Sequence, residues 1–164
     1  MDATTTHSMS QLIKKLSDAH PTITFRESDC FVWLPSSRTI FYNASLEGAP
    51  LLLLHELAHA LLQHHAYTRD VELVAMESSA WEKAVAYAAE NSAQLPGISL
   101  QLSDAIVQSH LDTYREWLHA RSTCPVCSAI GYQVSRDTYA CPACSHRWRV
   151  NEARICALRR YSVK

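Results

Sequence analysis

Between Ser8 and Ala19 the apolar residues Leu12, Ile13 and Leu16 recur at helical spacing behind a Ser-x-x-Gln start resembling a capping box, which predicts a short amphipathic helix. From Thr22 to Asn43 the period shortens. The runs ITF, CFVWLP and TIFYN, parted by the polar stretches RESD and PSSR, predict two or three antiparallel strands with Trp33, Phe41 and Tyr42 in the core or on the sheet face. Gly48 and Pro50 then introduce Leu51 to His65, apolar on nearly every side, as a helix buried in the middle of the fold. Past the polar HHAYTRD a long helix is expected from about Val71 to Asn91, broken by Leu95, Pro96 and Gly97. A last helix covers Asp104 to Ala120 with Ser103 as its N-cap. Beyond it, GYQVSRDTYA reads as two short strands around a polar turn. The fold class expected is α+β: a small antiparallel sheet packed on a helical core, followed by a small four-cysteine module.

A chain of 164 residues with 48% hydrophobic residues has room for one ordinary domain and a small appendage. The longest apolar run, Ala49 to Leu54, falls far short of the roughly 20 residues that span a bilayer, so no membrane partner is expected. The start MDATTTHSMSQLIKK shows no basic segment followed by an apolar one, so a cytoplasmic location is the expectation. Charge divides the chain. Residues 1–120 hold 7 Lys and Arg against 14 Asp and Glu, whereas residues 121–164 hold 8 against 2. The shift in sign places a domain boundary near Ala120, between a domain over 1–120 and a basic module over 121–164.

The apolar helix carries HELAH at His55 to His59. Two histidines four apart project from one helical face and can hold one zinc ion. Glu56 follows the first of them, so its carboxylate can reach an attacking water and serve as general base without being a ligand. A helix otherwise built of Leu and Ala would not bury these ionisable groups without compensation, and a divalent cation provides it.

His65, Glu72, Glu77 and Glu82 compete as third protein ligand. If the helix continues through Leu62, His65 is carried about 9 Å along the axis from His59, too far to share an ion. On the next helix, Leu73, Ala80, Trp81, Ala84 and Ala88 define an inward face with Glu77 at its centre, while Glu72 and Glu82 are rotated away. A lone carboxylate in an apolar stripe requires a cation, which selects Glu77. Tyr67, His64 and His65 are the candidates nearby for stabilising an oxyanion.

HELAHALLQHH, preceded by a β-hairpin and followed by a helix carrying MESSAWEKA, resembles the ImmA/IrrE family of metallopeptidases, whose members commonly show a HELxHxLLxH helix and a downstream Glu before an Ala-rich segment. The resemblance covers about residues 10–95. Ser79 stands where the family's Glu-x-Glu-Ala motif has its second glutamate, which leaves Glu77 as the matching residue. The resemblance implies a zinc-dependent peptidase, here an endopeptidase, with a protein substrate such as a transcriptional regulator.

Cys124, Cys127, Cys141 and Cys144 form two Cys-Pro-x-Cys knuckles, whose spacing predicts a closed, structural zinc site in a zinc ribbon. Two zinc ions per chain are therefore expected, one catalytic and one structural. Cys30 and Cys156 read as small buried thiols. Arg147, Arg149, Arg154, Arg159 and Arg160, with Tyr139 and Trp148 nearby, offer a basic and aromatic surface for nucleic acid, although Trp148 reads better as the core of so small a module. The alternative function is accordingly a nucleic-acid-binding regulator, or a phage or toxin–antitoxin interaction protein, with a vestigial HELAH site.

Overall fold

The computed structural model describes residues 3–95, 98, 102–152 and 158–163. Pro96 and Gly97, expected to break a helix, and Arg154 and Cys156 lie outside the described residues. The chain forms two compact units, Met1–His65 with Ser78–Val107 and Ala66–Glu77 with Gln108–Lys164. This division does not coincide with the charge step near Ala120. Charge reports surface composition, whereas the units are set by packing, and their limits at Glu77 and Val107 fall inside continuous helices.

In the first unit, α1 (Ala3–Ala19) buries Met9, Leu12 and Leu16. It begins before the expected Ser8 cap, because Ser and Thr weaken a helix without stopping it. Three short strands follow, β1 (Thr24–Glu27), β2 (Val32–Leu34) and β3 (Thr39–Tyr42), in the order β1-β3-β2. Only the β2–β3 pairing is antiparallel; β1 runs parallel to β3, which corrects the all-antiparallel expectation. The chain reverses between β1 and β2 and again through the 3-10 turn Pro35–Ser37 and the left-handed Arg38 (φ 49°), so β1 and β3 point the same way. Periodicity shows which side chains face inward but not which strand is central. Cys30 lies in the first reversal and is exposed, not the buried thiol expected.

Helix α2 (Ala49–Leu61) starts after Gly48 (φ 74°) with Pro50 in its first turn. It is buried on nearly every side, with Leu51, Leu53, Leu54, His55, Leu57, Ala58, His59 and Ala60 all enclosed. It stops four residues short of the expected His65. Gln63 adopts φ 55°, the His64 N–H donates to the His59 carbonyl (2.9 Å) and the Gln63 N–H to that of Ala60 (3.1 Å). This is a Schellman ending, with glutamine in the left-handed position usually held by glycine. The continuation assumed through Leu62 therefore does not occur. Helix α3 (Asp70–Glu90) presents Glu77, Ala80, Trp81, Ala84 and Ala88 as a buried stripe, while Glu72 and Glu82 are exposed.

The second unit holds the first turns of α3, most of α4 (Asp104–Ser122) and a four-stranded antiparallel meander, β4 (Tyr132–Ser135), β5 (Thr138–Ala140), β6 (Arg147–Val150) and β7 (Arg160–Ser162). Its small core is Cys124, Tyr139, Cys141, Trp148 and Val150. Gly131 is required there: a Cβ would collide with the Trp148 ring and lie 2.8 Å from the Ala140 carbonyl oxygen. A buried polar centre joins α3, α4 and the sheet. Asp70 accepts hydrogen bonds from Arg121 Nε and the Tyr139 hydroxyl, both at 2.5 Å, and its own N–H donates to Gln133 Oε1 (2.8 Å). Among the described residues no helix is long and apolar enough to cross a membrane.

Candidate metal centres

Among the described residues, two groups of side chains could hold a metal ion. In the first, ligand atoms of His55, His59 and Glu77 all lie within 4.8 Å of one another, and all three residues are buried. The one-turn spacing on α2 brings His55 Nε2 and His59 Nε2 to 3.1 Å. Zn–N distances of about 2.0–2.1 Å around a tetrahedral ion put two nitrogens roughly 3.4 Å apart, so the pair fits a shared ion. Glu77 is delivered by α3, one turn before Trp81, whose ring stacks on His55 with centroids 4.3 Å apart and so limits its rotation. Of the other candidate ligands, Glu82 and His65 are exposed. Glu72 is engaged elsewhere, its Oε2 accepting from the backbone N–H of Thr68 (2.9 Å) and Arg69 (3.1 Å) and from the Thr68 hydroxyl (3.0 Å). These bonds hold its pKa down, the backbone donors contributing most.

Glu56 is not one of the three grouped residues. Its Oε2 accepts a 2.7 Å hydrogen bond from the backbone N–H of Trp33 on β2. Because β2 is an edge strand, that N–H points away from β3 and is available to the carboxylate. Nothing in the sequence signals this partner. Beside Glu77 lies a cavity of about 230 Å³ lined by Tyr67, Leu73, Glu77, Tyr114, Trp117 and Glu152. The Tyr67 phenol has its pKa pushed up, first by burial and then by the charges of Glu152 and Asp70, so it stays a hydroxyl donor at neutral pH. His64, another of the residues singled out from the sequence, has Nδ1 2.8 Å from His59 Nδ1.

The second group is Cys124, Cys127, Cys141 and Cys144, with ligand sulfurs within the same 4.8 Å limit. Cys124 and Cys144 Sγ are 3.7 Å apart, and Cys127 and Cys141 Sγ 3.5 Å. Zn–S bonds of about 2.3 Å in a tetrahedron give S···S edges of roughly 3.8 Å, so this set also fits an ion, with no open position left. The thiols divide in their acidity. Burial raises Cys141, but the backbone N–H groups of Cys144 and Ala143 outweigh it and bring the thiol down to about 7. Cys144 receives a lowering bond from the His146 N–H, yet burial and the other three sulfurs push it up to about 12. Four sulfurs this close cannot all carry charge unless a cation shares them. His146 is not needed as a substitute ligand and packs parallel to the Trp148 ring.

Four of the residues read as a basic and aromatic surface on this module have partners or lie in its core. Tyr139 and Trp148 are buried, Arg149 is paired with Asp137, and Arg160 Nη1 donates to the Thr123 carbonyl (2.9 Å). The Asp70–Arg121–Tyr139 centre escaped sequence reading because Asp70 looks like an ordinary acidic residue in a first helical turn and Arg121 like part of a basic tail. Compared with protein-family models, with curated proteins and with solved structures, the chain finds no match in any of the three.

Proposed function

We propose that this chain is a cytosolic zinc-dependent peptidase of the ImmA/IrrE type, an endopeptidase acting on a protein substrate such as a transcriptional regulator, with its four cysteines holding a structural zinc in a ribbon. The observation that carries this reading is the arrangement around α2: three buried donors converge from His55, His59 and Glu77, while the Glu56 carboxylate, not one of the three, accepts a hydrogen bond from Trp33. Among the described residues the group has three members, whereas a purely structural site would close with a fourth protein ligand, as the set of four cysteines can.

Zinc bound at such a site supplies a Lewis acid that polarises a carbonyl and lowers the pKa of water toward 7. His55, His59 and Glu77 would hold the ion. Glu56 takes a proton from the attacking water as the new C–O bond forms, then delivers it to the amide nitrogen as the C–N bond breaks. The Trp33 N–H donates to Oε2 and so restrains the orientation of that carboxylate. Tyr67, which shares a cavity with Glu77, is the donor suited to the developing oxyanion, and the apolar and aromatic walls of that cavity suit a substrate side chain.

The test is a comparison of protein termini and abundances in cells expressing the wild-type chain or its Glu56→Gln variant, with metal content measured on both purified proteins. Glu56→Gln is expected to lower peptide hydrolysis by about 10²- to 10⁴-fold while keeping its first-site zinc. Glu77→Ala loses both, whereas Glu72→Ala and Glu82→Ala keep both. Loss of zinc from Glu56→Gln, or release of zinc by His65→Ala but not by Glu77→Ala, would overturn the assignment.

A further inference from the structure

We infer that His64 is a positioning residue for the first metal site: it accepts a hydrogen bond from His59 Nδ1–H and so directs the His59 Nε2 lone pair at the ion. The inference rests on His59 being a metal ligand through Nε2, the atom that faces His55 Nε2 at 3.1 Å. A neutral imidazole carries one proton, so a ring that ligates through Nε2 carries it on Nδ1. His59 Nδ1 and His64 Nδ1 are 2.8 Å apart, a separation at which one nitrogen donates and the other accepts. His59 is thereby the donor and His64 the acceptor. The two rings meet edge to face, with centroids 4.9 Å apart and planes at 68°.

The acceptor is itself held in place. With Nδ1 accepting, the proton of neutral His64 sits on Nε2, which lies 3.4 Å from Ser79 Oγ on α3. Its backbone is fixed by the Schellman ending of α2, where its N–H donates to the His59 carbonyl, and by Trp33 Nε1, which donates to its own carbonyl at 3.1 Å. The left-handed Gln63 therefore has a consequence for chemistry. By folding the chain back over the last turn, it brings His64 beside the ligand that an uninterrupted helix would have carried it past. Commitment to His59 and Ser79 also removes His64 from the candidates for oxyanion stabilisation. Partners of this kind on a ligating histidine typically change metal affinity by about 10- to 100-fold when removed.

The experiment uses full-length protein with ¹⁵N-labelled histidine. Long-range ¹⁵N–¹H correlation spectra report the tautomer of His59 before zinc is added, and chelator competition gives first-site zinc affinity for the wild type, His64→Phe and His64→Gln. Expected are an Nδ1–H tautomer for His59 in the wild type and its loss in His64→Phe. First-site zinc affinity should fall about 10- to 100-fold in that variant, with recovery in His64→Gln, whose amide oxygen can still accept. Neither a loss of packing alone nor a general effect on folding would be rescued by glutamine. His59 as the Nε2–H tautomer in the wild type, or wild-type affinity in a folded His64→Phe protein, would overturn the inference. If His64→Phe does not fold, the wild-type tautomer and His64→Gln decide, with loss of tautomer and affinity in the latter counting against it. Failure of the wild type to take up zinc at His55 and His59 would sink the peptidase reading as well. Uptake that His64→Phe leaves unchanged would sink this inference alone.

Discussion

The two ligand sets sit on very different foundations. His55 and His59 ride on a helix enclosed by apolar side chains, and Glu77 belongs to a second helix whose alanines are fully buried along its inward stripe. The cysteines hang from two short knuckles around a core of Cys124, Tyr139, Cys141, Trp148 and Val150, in which two of the ligands are themselves core residues. A ligand set on packed helices is organised before an ion arrives, and so can have an open coordination position. One on knuckles must be closed by the ion to be organised at all. The contrast predicts that a mild chelator removes metal from the histidine site first, although the cysteine site contributes more to folding.

The largest effect that could break this contrast comes from Cys124→Ser with Cys127→Ser. The sheet around Trp148 should unfold, since structural zinc supplies on the order of 10 kcal/mol to modules of this size. Metal content should fall from two ions to one, and circular dichroism should retain the signal of α2. Loss of both ions would show that the sites do not stand on separate foundations.

Next in size is Arg121→Met, which asks whether metal alone supports the second unit. It would leave Asp70, about 1% exposed, with its Tyr139 bond but no counter-charge. Breaking a buried pair in this way costs about 3–5 kcal/mol. Chemical denaturation of zinc-loaded protein followed by tryptophan fluorescence measures it. An unchanged midpoint would mean that the ion carries the fold unaided.

Gln63→Gly sharpens the other side of the comparison. A non-glycine residue in the left-handed region costs about 1–2 kcal/mol, partly offset by the greater unfolded-chain entropy of glycine. A gain of about 1 kcal/mol is expected by thermal unfolding, with first-site zinc affinity kept. Destabilisation would show that the Gln63 side chain contributes more than its backbone strain costs.

The smallest effect concerns Glu72. Its pKa is lower in the folded chain than in the unfolded one, so the stability it contributes is present in full above the unfolded value near 4.5 and is lost as pH falls through the folded value. Glu72→Gln should flatten that acid limb slightly while leaving stability at pH 7 only a little reduced, as read from denaturation midpoints across about pH 3–7. An acid limb unchanged in the variant would remove this cap from the second unit.

Periodicity and spacing alone determined a good deal: the apolar character of α2, the inward stripe of α3 with Glu77 in it, the three short strands and the four-cysteine set. These features are local, arising from side chains a fixed number of residues apart on a regular element, and so are visible in one dimension. Tertiary structure decided the rest. The parallel β1–β3 pairing depends on which strand takes the centre, and the exposure of Cys30 on where the chain reverses. The end of α2 is not legible in one dimension because Leu62 and Gln63 carry no stop signal; it is made by the left-handed turn at Gln63 and the backbone hydrogen bonds that close it. The bonds from Trp33 to Glu56, from Asp70 to Arg121 and between His59 and His64 join residues whose partners are chosen by the fold. Of these, only the last pair are near neighbours in sequence, and they meet because the helix ends between them.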